Sequence, residues 1–356
     1  MTAITSQTYL KTRVTVMAKQ LYSPGQFEDL IHSPLEALGK NFSLVGLIEQ
    51  GLSPATLNRV AEKALIRTLM QELSVLLRPL ERPARSILVH WIRKFELYNL
   101  KAIIRGKLKE LPFDQIRENL HDLPPLISLP HERLLRTENI LELLRQLEEG
   151  PYSDIAHQAR RVYEEKNEPF SLDAAIDHSY YTGLLRRASA AEPEDRSSLL
   201  RLLGAMIDQQ NLIWLLRYRF SYGLSATETY FLLIPFGRRL FRDHLKLLVN
   251  EDSFEGVIEG LRGHFKDVMS DVGNALEAER ILDNETAAQA HQSLRFSPSA
   301  VTRSLAYLVL REMDLKRIYA VIQGKVLKLD DSLIRTAAGM PGVPGEETQA
   351  RVAGHV

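Results

Sequence analysis

Apolar residues recur at three- and four-residue spacings along most of the chain, the period of helices that bury one face. Three stretches carry the pattern most clearly. Trp91, Phe95 and Ile103 fall on one row of residues four apart, Leu203, Ile207 and Leu215 on a second, and Leu310, Ile318 and Ile322 on a third. Each row is interrupted once by a polar residue: Asn99, Asn211 and Asp314. A leucine follows each of them, Leu100, Leu212 and Leu315. The polar positions lie 112 and 103 residues apart, which predicts one helical unit used three times. A buried amide or carboxylate without a partner costs roughly 1–3 kcal/mol. Each of the three is therefore expected to bond a backbone group or basic side chain of a neighbouring helix and to pin how the units pack.

Start and stop signals set the element boundaries. Ser53–Pro54 opens a helix that runs to Leu77, where Pro79 and Pro83 end it. A second long helix is expected from Ala84 to about Gly106, another from Ser197 to about Ser221, and a last one from about 299 to 323 behind Ser297–Pro298. Shorter helices are expected over 8–21, 137–148, 152–166, 171–190 and 265–292. Pro112, Pro124, Pro125 and Pro130 break the pattern near residue 120, and Pro235 marks the corresponding break later. The expected architecture is all-α, with units over 1–120, 121–228 and 229–330. Residues 331–356, ending in a stretch of two prolines and four glycines among polar residues from 339 on, are expected to be a disordered tail.

Composition narrows the function classes. The 356 residues carry 45 basic and 45 acidic side chains, so no net field draws the chain to nucleic acid or anionic lipid. Cysteine is absent, which removes disulfides, thiolate metal sites and a Cys nucleophile. No apolar run approaches the roughly 20 residues of a membrane span, and the first residues lack the basic-then-apolar order of a signal peptide. Any membrane contact is expected through a partner.

Candidate chemistry is thin. The Gly–Lys pairs at 39–40, 106–107 and 324–325 lack the upstream glycine and following hydroxyl of a phosphate loop. They read as helix ends, with glycine stopping the helix and lysine beside its negative pole. His131–Glu132 begins like a zinc-protease helix, but Leu135 stands where the second histidine belongs. Glu118 and His121 have di-iron spacing without a second copy. The basic and aromatic residues from Trp214 to Tyr222 lie on a helix whose apolar seam needs those rings. No catalytic, cofactor or metal residue is assigned.

Five segments together carry a family likeness: Tyr9–Arg13, Glu96–Lys107, Leu172–Tyr181, Ile207–Arg217 and Arg311–Lys325. In that order they resemble the signatures of the C/d subunits of V-type and archaeal-type rotary ATPases. The resemblance implies a funnel of three similar units around a pseudo-threefold axis. It implies a non-catalytic, cytoplasmic rotor subunit, peripheral to the membrane, joining the central-axle subunits of the catalytic head to the membrane proteolipid ring. Torque for proton or sodium transport would pass through it without a cofactor and without nucleic acid. The residues after Leu329 have no counterpart in that likeness. A generic helical adaptor is the alternative left open by the residues themselves.

Overall fold

The computed structural model describes residues 3–41, 53–166 and 168–340, and among them every regular element is helical. The helices are α1 (Ala3–Met17), α2 (Pro24–His32), α3 (Leu35–Asn41) and α4 (Pro54–Leu77). Next come α5 (Ala84–Ile92), α6 (Lys94–Leu108), α7 (Phe113–Glu118), α8 (His131–Leu135) and α9 (Ile140–Gln146). Then follow α10 (Ser153–Lys166), α11 (Pro169–Ser189), α12 (Pro193–Leu216), α13 (Ala226–Leu232) and α14 (Arg242–Leu248). The last are α15 (Phe254–Gly260), α16 (His264–Met269), α17 (Ala275–Phe296), α18 (Ala300–Val326) and α19 (Asp331–Ala337).

The chain divides into two compact units, and neither is a single stretch of sequence. One comprises residues 1–11 and 76–306, the other 12–75 and 307–356. Residues 12–75, expected within the first unit by order along the chain, thus cluster with the C-terminal segment. In the larger unit α10 lies along α11, α11 touches α5 and α12, and α12 lies along α17. A contiguous apolar core fills its second half, built on Ile207, Leu212, Leu215, Ile234, Leu240, Val257, Phe265 and Leu282. In the smaller unit α2 meets α19, where Glu28 pairs with Arg335 and His32 Nδ1 lies 3.2 Å from Asp331.

Several boundaries differ from those expected. The helix predicted over 84–106 is broken at Arg93, next to the turn where the Tyr180 hydroxyl donates to the Trp91 carbonyl at 2.7 Å. The last long helix is capped by Ser299, whose hydroxyl accepts the Thr302 N–H at 3.0 Å, and not by Ser297. Residues 331–337, expected to be disordered, form α19. Asp330 accepts the Leu333 N–H at 3.0 Å and Ile334 is fully buried, so a cap and an apolar anchor hold the turn. The remainder of that tail, 341–356, lies outside the described residues.

Candidate functional site

The polar residues of the long helices grip backbone far away in sequence. On α6, Asn99 is fully buried. Its amide holds both backbone groups of one residue: Oδ1 accepts the His121 N–H at 2.8 Å and Nδ2 donates to the His121 carbonyl at 3.0 Å. One helical turn earlier, fully buried Glu96 accepts the Leu129 N–H at 2.7 Å, sits 2.6 Å from His131 Nε2 and receives Asn99 Nδ2 at 3.0 Å. The Pro-rich stretch between α7 and α8 is thereby tied to the helix at two places, with no regular secondary structure of its own to satisfy those backbone groups.

The same arrangement recurs on α12. Asn211 Oδ1 accepts the Ile234 N–H at 2.9 Å, and Nδ2 donates to the Ile234 and Phe236 carbonyls at 2.9 and 3.3 Å. One turn earlier Asp208 accepts three consecutive backbone N–H groups, those of Arg238, Arg239 and Leu240, at 3.0, 2.8 and 3.0 Å. Burial pushes the Asp208 pKa up to about 6 against the pull of those three bonds. Gly237 has no side chain because a Cβ there would strike Asp208 Oδ1.

On α18 the register differs from the one read along the chain. Asp314 Oδ2 accepts the Tyr22 N–H at 2.9 Å, and the residues that follow it match those after Glu96 and not those after Asn99. Three residues later, where α6 and α12 carry an asparagine, is Arg317, whose guanidinium lies over the Phe27 ring. With Asp314 set on Glu96, the pairs Leu97/Leu315, Ala102/Ala320, Ile104/Ile322, Gly106/Gly324 and Lys107/Lys325 coincide without a gap. The carboxylates are then 112 and 106 residues apart. Leu100, Leu212 and Leu315 are all buried, but Leu315 matches Leu97, and Ile318 matches Leu100. The apolar rows do not single out Glu96 and Asp208; the signal for them is an acid one turn before each asparagine.

Around Asp314 the helix carries further polar groups. Arg311 Nε lies 3.1 and 3.2 Å from the two Glu72 oxygens, and Nη1 donates to the Gln20 carbonyl at 3.2 Å. The Tyr307 hydroxyl donates to Glu72 at 2.7 Å.

The ends of the three helices repeat as well. The Leu111 N–H bonds the Gly106 carbonyl, the Leu329 N–H the Gly324 carbonyl, and the Leu224 N–H the Tyr218 carbonyl, each at 2.9 Å. The residue before each leucine has positive φ: Glu110, Lys328 and Gly223. The end of α12 holds one extra residue, absorbed in a π-helical turn over Arg217–Ser221. Gly106 and Gly324 therefore do not stop their helices. They lie inside them, where a Cβ would collide with Ile116 and Ile334, and the turn is made four residues later. Lys107 reaches the Leu135 and Thr137 carbonyls at 2.8 and 2.5 Å. The three turns leave apolar side chains in solvent: Leu108 and Leu111, Phe220 and Tyr222, Leu327 and Leu329.

Other candidates settle into structural places. His131 is the partner of Glu96, and the His121 ring stacks on Tyr98 with centroids 4.6 Å apart. Trp214 and Tyr218 stack within the core. Among the described residues no group of three or more His, Cys, Asp or Glu could hold a metal ion, and no helix is long and apolar enough to cross a membrane. A small recess beside Asp208, Arg238, Arg239 and Glu285 has room on the scale of a water molecule.

A family profile described as ATP synthase (C/AC39) subunit matches residues 10–337, so the match extends through α19 and past Leu329. The chain is 25% identical over 348 residues to the C subunit of the A-type ATP synthase of Methanocaldococcus jannaschii, covering 92% of this chain and 85% of that protein. It is 24% identical over 332 residues to the C subunit from Pyrococcus horikoshii, covering 89% and 86%. With the C subunit from Haloquadratum walsbyi it shares 24% over 353 residues, covering 92% and 96%.

Proposed function

The chain belongs to the C/AC39 subunit family of ATP synthases, and from that membership we propose that it is the non-catalytic rotor socket of a V/A-type ATPase. In this reading it joins the central-axle subunits of the catalytic head to the membrane proteolipid ring and passes torque between them for proton or sodium transport. It works on the cytoplasmic side, held to the membrane by the complex alone. We further read the chain as three similar units arranged about a pseudo-threefold axis in a funnel, with the third unit's carboxylate clasping the connector between α1 and α2 (residues 18–23).

The observation that carries this reading is the thrice-repeated carboxylate, Glu96, Asp208 and Asp314, each on a long helix and each accepting backbone N–H groups from a distant segment. A rotor body under torque must resist sliding of its segments past its helices. Buried, directional bonds to backbone resist such sliding, whereas apolar contacts are non-directional. The packing role of Asn99 and Asn211 belongs to the same proposal.

The exposed apolar residues at the three helix ends, Leu108 and Leu111, Phe220 and Tyr222, Leu327 and Leu329, are the candidate partner contacts. The test is binding of the purified full chain to axle subunits and to detergent-solubilised proteolipid rings. Capture of both, with loss of one after the six residues are changed to glutamine or serine, is expected. A folded chain that binds neither partner would sink the proposal.

A further inference from the structure

Asp314 is the least compensated of the three carboxylates. Glu96 has the Leu129 N–H, the Asn99 amide and the His131 ring, and Asp208 has three backbone N–H groups. Among the described residues Asp314 accepts one hydrogen bond, from the Tyr22 N–H. An ionised carboxylate has about four acceptor sites to fill, and Asp314 is only 6% exposed. The groups facing it are mixed in sign. Arg311 and Arg317 attract its charge from its own helix, where the Tyr307 hydroxyl also lies. Glu72 repels it from α4, and Tyr22 faces it from the connector. Much of the Arg311 charge is already engaged by Glu72.

The connector has a light hold of its own. Gln20 and Tyr22 are tied to α18 through the Arg311–Gln20 and Asp314–Tyr22 bonds. No asparagine grips both backbone groups of one residue, as Asn99 and Asn211 do, because Arg317 occupies that place and turns to Phe27.

We propose that the Asp314–Tyr22 contact is an acid-tightened latch on the N-terminal connector: with the carboxyl neutral the Gln20–Tyr22 segment rests on the helix, and with it charged the segment detaches more readily, because detachment returns the charge to water. Burial raises the attached-state pKa to about 6, opposed by the Tyr22 N–H, Arg311 and Arg317 and reinforced by Glu72. Detachment uncovers the group and moves it back toward the ordinary value of 3.8. Below both values detachment does not depend on pH. Between about pH 4 and 6 the detached form gives up its proton first, so opening increases as pH rises, and above about 6 it levels off.

Amide hydrogen exchange of the full chain, read over residues 18–32 from about pH 4.5 to 7.5 and corrected for intrinsic exchange, tests the latch. Opening is expected to rise on the order of tens-fold and then plateau. Asp314→Asn is expected to abolish the rise. Glu72→Gln keeps an acceptor for Tyr307 and Arg311 while removing the repelling charge, and is expected to bring the plateau on at lower pH. A flat wild-type profile, opening that increases toward acid, or an Asp314→Asn variant that keeps the wild-type rise overturns the proposal. Should Asp314→Asn fail to fold, an unmoved plateau in Glu72→Gln overturns it instead.

Discussion

Replacing Asn211 with leucine keeps the buried volume and removes the amide. The Ile234 N–H, in a fully buried residue, then loses the acceptor it has at 2.9 Å. The Ile234 carbonyl keeps a second partner, the Phe236 N–H at 2.7 Å, and is not orphaned. The Phe236 carbonyl is held only at 3.3 Å and is partly buried, so its loss is small. One stranded N–H and one good lost bond set the cost, about 2–4 kcal/mol. Exchange of the Ile234 amide and urea unfolding of the full chain both read this number. Asn211→Asp separates the two halves of the grip. It keeps the acceptor but turns a second oxygen toward two carbonyls, so at neutral pH it should cost at least as much as leucine. Protonation should restore part of the loss in acid. A change below about 0.5 kcal/mol in the leucine variant, within ordinary surface scatter, would refute the reasoning, because the loop would then have found another acceptor.

Gly106→Ala places a Cβ 2.5 Å from buried Ile116 and should cost about 1–3 kcal/mol, with Ile116→Ala in the same chain recovering much of it in thermal unfolding. Gly324→Ala, against Ile334, should behave alike if the two helix ends are true copies. Burial, helped by Arg187, lowers the His90 pKa to about 3, so the folded state holds a neutral ring. Its stabilising share is complete above the ordinary value of 6.5 and is lost as pH falls toward about 3; His90→Gln, which keeps a donor for the Tyr180 carbonyl, should flatten that part of the acid unfolding curve. Arg311→Lys loses the planar group that reaches Glu72 through Nε and the Gln20 carbonyl through Nη1, and should lower stability by about 1–3 kcal/mol in urea titration, more than Lys316→Ala on the exposed face of the same helix.

Helix content and buried faces were legible in the sequence because they depend on neighbours three and four residues away. Trp91, Ile103, Leu203, Ile207, Leu215 and Ile318 are all buried, as their rows required. Polar residues inside those rows were legible for the same reason, since Asn99 and Asn211 stand in the seam and are fully enclosed. On α18 the residue match falls three positions from the one that Asp–Leu at 314–315 suggests, because that pair resembles Asn–Leu at 99–100 in local pattern. An i, i+3 slip keeps nearly the same helix face, so periodicity cannot distinguish the two registers.

What distinguished them was the helix end, where the Leu111 and Leu329 N–H groups bond back to Gly106 and Gly324 in the same way, and the partner each carboxylate holds is no more visible locally. Glu96 reaches a residue 33 positions on, and Asp314 reaches one 292 positions back. Such separations leave no trace in local spacing, because any of several backbone segments could satisfy a buried carboxylate equally well. The same holds for the glycines at 106 and 324, whose need for a missing Cβ comes from isoleucines on the following helix. It holds again for the partition of the chain, in which residues 12–75 join the segment from 307 onward and not their sequence neighbours. The sequence alone determined that this protein is helical, that its long helices bury one face, and that polar groups are set into those faces. Only the tertiary structure decided which distant backbone each group holds, because burial is a local demand and its satisfaction is not.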